Sequence, residues 1–191
     1  MNRTALVSLL ATAALSAGIA HAEPATYTVD PTHTFVTFEA KHFGTSTNRG
    51  RFDKKSGSVT IDAAAKTGKV DISIDMASIN SGTDAFNNHL KSKDFFNVEA
   101  FPKSTFVSDK VIFEGDKVSA VVGTLTLLGK SQTVTLKANN YGCYQNPMLK
   151  REVCGGDFDT TITRSEYGMN YGLPFIPDNV HLIIQIEAVK Q

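Results

Sequence analysis

The sequence contains no tryptophan, only two cysteines and no excess of charge of either sign. Its 19 lysine and arginine residues are balanced by 19 aspartate and glutamate residues, and the two signs alternate along the chain instead of clustering. Nucleic acids and anionic membrane surfaces attract proteins through concentrated positive charge. We therefore expect no nucleic-acid partner and no binding that depends on bulk charge.

Long hydrophobic runs are also missing, because no apolar run reaches the roughly 20 residues that a membrane-spanning helix needs. One apolar stretch, residues 5–17, follows the positively charged Asn2-Arg3 and precedes Ala20-His21-Ala22, which fits an A-x-A cleavage site. This pattern predicts a cleavable signal peptide over residues 1–22, export to the periplasm and one mature domain over residues 23–191. A retained N-terminal anchor is the alternative, and a lipoprotein is disfavoured because no cysteine follows the run.

The two cysteines, Cys143 and Cys154, both lie in the part of the chain that we expect to be exported. An even number of cysteines in an oxidising compartment predicts a disulfide. The bridge would close the segment around Asn146-Pro147 and contribute about 3 kcal/mol in the chain-entropy model. A redox pair and half of a metal site are the alternatives, but the spacing is not C-x-x-C and no histidine is adjacent.

Four histidines, His33, His42, His89 and His181, are candidates for a metal site in the mature chain. A metal site needs two or three convergent ligands. His33 and His42 are nine positions apart, so in a regular strand they face opposite sides and lie roughly 30 Å apart. His89 could meet His42 at the end of a strand. We expect ordinary core or surface histidines and no metal ion.

Most of the mature chain alternates between apolar and polar residues with the period of two that β-strands show. The clearest segment places Val70, Ile72 and Ile74 on one face and polar residues on the other. Short turn signals such as Glu114-Gly115-Asp116 join these segments. About eight strands can be counted, which predicts an all-β protein built as a single antiparallel barrel or sandwich.

Residues 83–102 are the segment that does not alternate. Phe86, His89 and Leu90 share one face of a helix, and Thr83 is a suitable N-cap. A helix of two to three turns is not stable alone in water, so it must pack on the sheet. Together with the aromatic residues that follow it, we expect this segment to cap one end of the barrel as a lid.

Motifs that carry enzymatic chemistry are not found in the sequence. There is no nucleophile elbow and no zinc-protease helix. The segment Gly123 to Ser131 looks like a phosphate-binding loop, but it has five residues between its glycines and alternates as a strand. Asp157 and Asp159 are paired carboxylates with the spacing of any solvated strand face. We expect neither catalysis nor a required cofactor.

Phenylalanine is abundant, with twelve residues, many of them on inward faces or in the expected lid. A barrel of this size needs only some of these rings for its own packing. The rings could fill an ordinary core or line a ligand cavity, and composition does not separate the two.

Short motifs follow one another along the mature chain: Asp30-x-x-His33, Phe35-Val36-x-Phe38, Gly50-x-Phe52, Ala77-Ser78-Ile79-Asn80, His89-Leu90-Lys91-Ser92-x-Asp94-Phe95-Phe96, Phe101-Pro102, Gly123-x-Leu125-Thr126-Leu127-x-Gly129 and Ile162-x-Arg164-Ser165-x-Tyr167-Gly168. Each motif is weak alone, but in this order and spacing the set resembles the YceI-like family of exported proteins. The resemblance covers essentially the whole mature chain. One departure is Thr34, where serine is common, and the segment around the two cysteines resembles a subgroup feature.

The resemblance implies a lipocalin-like antiparallel barrel whose elongated apolar cavity holds a polyisoprenoid chain, including the tails of isoprenoid quinones. It also implies a homodimer, and we expect transient contact with the inner membrane or a membrane partner. Arg164, His89 and His42 are the polar groups expected to meet a head group at the mouth. The expected ligand-binding residues are Val36, Phe38, Ala40, His42, Phe52, Ile72, Ile74, Phe86, His89, Leu90, Phe95, Phe96, Phe106, Leu125, Leu136, Phe158, Ile162, Arg164, Tyr167, Ile184 and Ile186.

Three functions follow as hypotheses. The first is periplasmic binding, storage or transport of an isoprenoid lipid without catalysis. The second is an enzyme that acts on a lipid or quinone head group, which would need a titratable cluster at the mouth and activity that depends on His89 or Arg164. The third is a stress-related module whose apolar strands bind a partner protein.

Overall fold

A computed structural model of the protein describes residues 23–191, so the predicted signal peptide lies outside the described residues. Period-two alternation produces the strands, as in the segment where Val70, Ile72 and Ile74 are buried while the residues between them are not. Within the described residues the strands are β1 (Ala25–Val29), β2 (Phe35–His42), β3 (Ser46–Phe52), β4 (Lys55–Asp62), β5 (Thr67–Asp75), β6 (Ile79–Asn80), β7 (Lys103–Glu114), β8 (Lys117–Leu127), β9 (Lys130–Asn146), β10 (Arg151–Thr163) and β11 (Asn179–Lys190).

Eight of these strands close into a barrel in the order β1, β4, β5, β7, β8, β9, β10 and β11. Every neighbouring pair is antiparallel, and the ring closes where β1 pairs with β11 through Tyr27 opposite Lys190. The predicted all-β fold with a single eight-stranded antiparallel barrel is therefore confirmed.

Strand β11 changes its partner along its length. Its C-terminal part pairs with β1, whereas residues 181–185 pair with residues 35–39 of β2. Strand β3 pairs with β2, and the two-residue β6 pairs with β3. The sheet therefore branches at one end of the barrel, and β2 and β3 form part of the wall at that end.

The lid, which we define as helix α1 (Asp84–Lys91) and residues 92–102, follows β6 at the branched end. The helix turns Leu90 into the core, and Phe96 is buried beyond it. Thr83 occupies the N-cap position in extended backbone geometry, but its side chain makes no capping hydrogen bond, so packing holds the helix in place. Among the described residues, no helix has the length and apolar character that crossing a membrane requires.

Two glycines make room for inward-facing rings. A Cβ atom at Gly50 would lie 2.6 Å from the ring of Phe38, which is its cross-strand partner on β2. A Cβ atom at Gly123 would lie 2.6 Å from the ring of Phe106. Both contacts are too short for a side chain, so these positions allow large rings to lie flat against the inner wall.

Candidate ligand-binding cavity

The interior of the barrel is not filled by side chains and contains a cavity of about 740 Å³. Val180 and Ala188, eight residues apart on β11, both line it. At about 3.3 Å per residue this separation is roughly 26 Å along the strand, so the cavity runs through most of the barrel. Its volume lies in the range of sites that enclose small molecules, and its walls are predominantly apolar.

The predicted ligand-binding residues converge on this cavity. Every residue that we named from the sequence lines it, with the exception of Tyr167. The convergence follows from the strand period, because alternate residues of each strand point inward and the sheet closes on itself. Whether these side chains contact a ligand stays a prediction.

Further lining residues were missed although their signal was present in the sequence. Val70 shares a strand face with Ile72, and Leu182 shares one with Ile184. The same alternation would have found most of the others, whereas Tyr171 and Phe175 lie in a loop that has no period. The missed apolar and aromatic residues include Tyr27, Val59, Ile61, Met76, Val111, Val118, Val121, Leu127, Val134, Tyr141, Met169, Ile176, Val180 and Ala188.

Tyr167 is buried in the core beside the cavity instead of lining it. Its hydroxyl finds no hydrogen-bond partner among the described residues. Burial, together with the negative charge of Glu166, raises the pKa of Tyr167 to about 12. Tyr167 does not line the cavity, and its contact with a ligand stays a prediction.

Arg164 is 2% exposed and holds the loop that leads into β11. Its Nε donates to the carbonyl of Pro177 at 3.0 Å, its Nη1 to those of Met169 and Tyr171 at 2.9 Å each, and its Nη2 to that of Ile176 at 2.9 Å. Burial lowers its pKa from the ordinary arginine value.

An arginine has five N–H donors, so the loop takes all but one of those of Arg164. The predicted contact of Arg164 with a head group stays a prediction, and it would have to use the single remaining N–H. The geometry instead gives this residue a structural role.

Six aromatic side chains, which we call the aromatic rim, surround the cavity at the branched end. One group is formed by His42, Phe43 and Phe175, with Phe43 and Phe175 stacked at 6.3 Å between ring centroids. The other group is formed by His89, Phe95 and Tyr171, with pairwise centroid distances of 5.0 to 5.3 Å. His89 also lies 3.4 Å from the carboxylate of Asp94.

The aromatic rim includes exposed rings that also line the cavity, so the cavity reaches the surface here. His42 and His89 therefore lie at the mouth, as predicted from the sequence. Their ring contacts are with different partners, and the structure does not pair them with each other.

The lid seals the wall beside the mouth through a cluster of phenylalanines. The ring of Phe96 lies 5.4 Å from that of Phe52 and 6.1 Å from that of Phe38, both in edge-to-face arrangements. Such contacts are worth about 0.5–1.5 kcal/mol each beyond the area they bury. All three residues line the cavity. Movement of the lid would therefore change the cavity wall directly.

Polar groups at the opposite end of the cavity are engaged with one another. The hydroxyl of Tyr27 donates to Oε1 of Glu152 at 2.6 Å, and Nζ of Lys190 lies 3.4 Å from the same oxygen. Burial raises the pKa of Tyr27, and the hydrogen bond to Glu152 adds to the shift. The carboxylate of Glu152 is therefore paired with Tyr27 and Lys190 and does not present an unpaired charge to the cavity.

The predicted disulfide between Cys143 and Cys154 is confirmed. The two residues face each other on β9 and β10 with their Cα atoms 4.1 Å apart. Cys154 lines the cavity, while the turn that the bridge supports projects beyond it. The disulfide therefore joins two wall strands at the end away from the mouth.

Metal ligands do not converge anywhere in the described part of the chain, because residues 23–191 contain no group of three or more His, Cys, Asp or Glu side chains placed to hold an ion. His181 lies between Asp159 at 3.1 Å and Glu39 at 3.7 Å on the outer face, where these side chains contact one another at the surface.

Comparison with known proteins identifies relatives along the whole chain. The model of the YceI-like domain family matches residues 27–188. The UPF0312 protein of Pseudomonas putida strain W619 is 34% identical over 194 aligned positions that cover 100% of this chain and 99% of the relative.

Solved structures share the fold. BcnA of Burkholderia cenocepacia superposes with a TM-score of 0.70 at 28% identity, covering 84% of this chain and 99% of BcnA. A polyisoprenoid-binding domain from Saccharophagus degradans superposes with a TM-score of 0.64 at 18% identity, covering 86% of this chain and 98% of that domain, which supports the likeness of fold alone. The sequence and structural matches agree, and this chain belongs to the YceI-like domain family.

Proposed function

We propose that the protein binds an isoprenoid lipid, either a polyprenyl chain or an isoprenoid quinone, and stores or transports it without chemical change. The observation that carries this proposal is the apolar cavity of about 740 Å³ that runs through the barrel and reaches the surface at the aromatic rim. The polyisoprenoid-binding domain of Saccharophagus degradans, which has the same fold, supports the ligand class.

The chemistry of the cavity suits a long apolar chain. An isoprenoid tail has no polar atoms to be satisfied, so its recognition rests on area and shape. Burying about 400 Å² of such a tail at about 25 cal/mol per Å² gives about 10 kcal/mol of gross stabilisation. Ordering the tail offsets part of this gain, which leaves an affinity in about the micromolar to nanomolar range.

Export to the periplasm is part of the proposal. The signal-peptide pattern over residues 1–22 supports it, and so does the Cys143–Cys154 disulfide, because disulfides persist in oxidising compartments. A carrier in this compartment would shield an apolar tail from water between membranes or enzymes.

Purification of the protein from its native host, followed by solvent extraction and mass spectrometry, tests the proposal. We expect a prenyl lipid in about equimolar amount with the protein, recovered from the periplasmic fraction. Protein that carries no lipid, or a cavity occupied by a lipid without isoprene units, would contradict it. A lipid that is chemically altered on incubation with the protein would instead favour an enzyme.

A further inference from the structure

Three large aromatic side chains at the mouth of the cavity are exposed to solvent. Phe43 is 60% exposed, Phe175 is 68% exposed and Tyr171 is 47% exposed. All three belong to the aromatic rim and line the cavity with their inner surfaces. Single exposed rings are ordinary on protein surfaces, but several exposed rings gathered around one cavity mouth indicate a site of interaction.

Phe43 occupies a position that the fold itself does not favour. It has a φ of 50° and is followed by Gly44 with a φ of 68°, in a turn closed by a hydrogen bond from the N–H of Thr45 to the carbonyl of His42. Positive φ at both central positions is typical of a type I′ turn, which favours asparagine at the first and glycine at the second. A phenylalanine in this position costs backbone energy and gains little burial, so folding alone does not account for it.

The charges around the aromatic rim leave it compatible with an apolar or anionic surface. Its exposed rings are carried by residues 40–48 and 167–177, which contain no aspartate or glutamate. Besides the tyrosines Tyr167 and Tyr171, the titratable side chains of these segments are Lys41 and His42, and Nζ of Lys41 donates to the hydroxyl of Thr47. The acidic residues that border these segments are Glu39, Glu166 and Asp178. Glu39 pairs with Arg49, and Asp178 accepts hydrogen bonds from Ser165. On the lid, Asp94 lies 3.4 Å from His89.

We propose that the aromatic rim docks onto a phospholipid bilayer, with Phe43 and Phe175 inserted at the boundary between head groups and acyl chains. This inference rests on the proposed lipid-binding function, because it gives the mouth of the cavity its partner. Aromatic side chains favour the membrane interface, where they bury apolar surface without deep insertion. Docked in this way, the mouth faces the bilayer, and an isoprenoid tail passes into the barrel without crossing water.

Because the sequence contains no tryptophan, a single introduced tryptophan can report whether the aromatic rim enters a membrane. A Phe175→Trp variant has one tryptophan at the aromatic rim, and a Met148→Trp variant has one at a control site. Met148 is 88% exposed in the turn before β10, whereas the rim loop follows β10, so the two sites lie at opposite ends of the barrel. Delipidated protein is mixed with phosphatidylcholine vesicles, with and without phosphatidylglycerol, and emission and quenching by brominated lipids are recorded.

We expect a blue shift and quenching for Phe175→Trp and neither for Met148→Trp. Equal behaviour of the two variants, or insertion at Met148 alone, would overturn the inference. The vesicles contain no isoprenoid, so this result does not depend on whether the cavity binds the proposed ligand. Failure of the ligand proposal would instead appear as an absence of prenyl lipid in the extraction.

A Phe43→Asn variant separates membrane docking from folding. We expect vesicle partitioning to fall about tenfold, because a ring is removed from the membrane interface, while the thermal stability stays equal or rises because asparagine suits the turn. Met148→Asn is the control and should leave partitioning unchanged. Unchanged partitioning for Phe43→Asn would contradict the inference. A parent dimer that Phe43→Asn converts to a monomer would also contradict it, because the aromatic rim would then bind a second copy of the chain.

Discussion

Arg164 illustrates how one buried side chain can order a loop that has no regular structure. The loop carbonyls that it binds belong to residues 169–177, which also carry Tyr171 and Phe175 of the aromatic rim. Position 164 therefore controls the shape of the mouth from within the core, and its charge is compensated by backbone dipoles and by the nearby carboxylate of Asp178.

Replacing Arg164 by methionine should lower the free energy of unfolding by about 3 kcal/mol, because four loop carbonyls, one buried and three partly buried, lose their donors. Urea unfolding at neutral pH measures the change. The control is Arg49→Met, since Arg49 forms an exposed ion pair with Glu39 and should contribute less than about 1 kcal/mol. Similar losses for both variants would show that Arg164 does not hold the loop.

The raised pKa of Tyr167 predicts how the stability of the protein changes at alkaline pH. The pKa of Tyr167 is raised to about 12 in the folded protein, and an unfolded tyrosine ionises near about 10. A raised pKa means that the stability linked to this group is fully present below pH 10 and is lost as the pH rises toward 12.

Between pH 10 and pH 12 the free energy of unfolding of the parent protein should therefore fall. In a Tyr167→Phe variant this fall should be smaller by about 2–3 kcal/mol. Denaturant unfolding at a series of alkaline pH values measures the difference. The pKa of Tyr27 is also raised, so the variant still loses part of its stability at alkaline pH. Identical pH profiles for variant and parent would contradict the role assigned to Tyr167.

At the scale of elements, the lid depends on Phe96 for its attachment to the wall. Replacing Phe96 by alanine should cost about 3 kcal/mol and loosen α1, because the ring contacts with Phe38 and Phe52 are lost. Hydrogen exchange of the α1 amides should become faster, and a bound lipid should dissociate faster. Phe101→Ala is the control, since Phe101 lies against the turn at Gly129 instead of against these rings. Unchanged hydrogen exchange of the α1 amides in Phe96→Ala would show that the lid does not control the access of lipid to the cavity.

The sequence predicted the elements that have a strong local period. The alternation of Val70, Ile72 and Ile74 predicted β5 and its buried face, and the spacing of Phe86, His89 and Leu90 predicted α1. The inward faces of several strands were sufficient to place most of the cavity wall, because a closed barrel brings every inward face to one space.

Features that depend on distant pairings were not predictable in the same way. The change of partner along β11, from β2 to β1, depends on residues more than 140 positions apart in the chain. The loop that carries Tyr171 and Phe175 has no period, and its shape depends on hydrogen bonds from Arg164. The sequence and its family resemblance led us to expect a polar group at the mouth at Arg164 but could not show that backbone carbonyls occupy it.

At the scale of the whole molecule, closure of the barrel converts strand alternation into a cavity. Each inward residue would be an ordinary core residue in a sandwich, but a ring of eight strands leaves space that can hold a ligand. The abundance of phenylalanine without tryptophan fits this arrangement, since nine of the twelve phenylalanine rings line the wall or the mouth of the cavity. The central claim is that a lipid tail occupies this space.

A matched pair of variants on β11 tests this claim most directly. Ile184 lines the cavity, whereas its neighbour Ile183 is exposed on the outer face. Prenyl lipid that copurifies with each folded variant from the native host is measured by mass spectrometry. We predict that Ile184→Trp lowers the lipid content per protein about tenfold, because the indole fills the space of the tail, while Ile183→Trp retains the parent content. Equal lipid content in the two variants, or no prenyl lipid in the parent protein, would contradict the account.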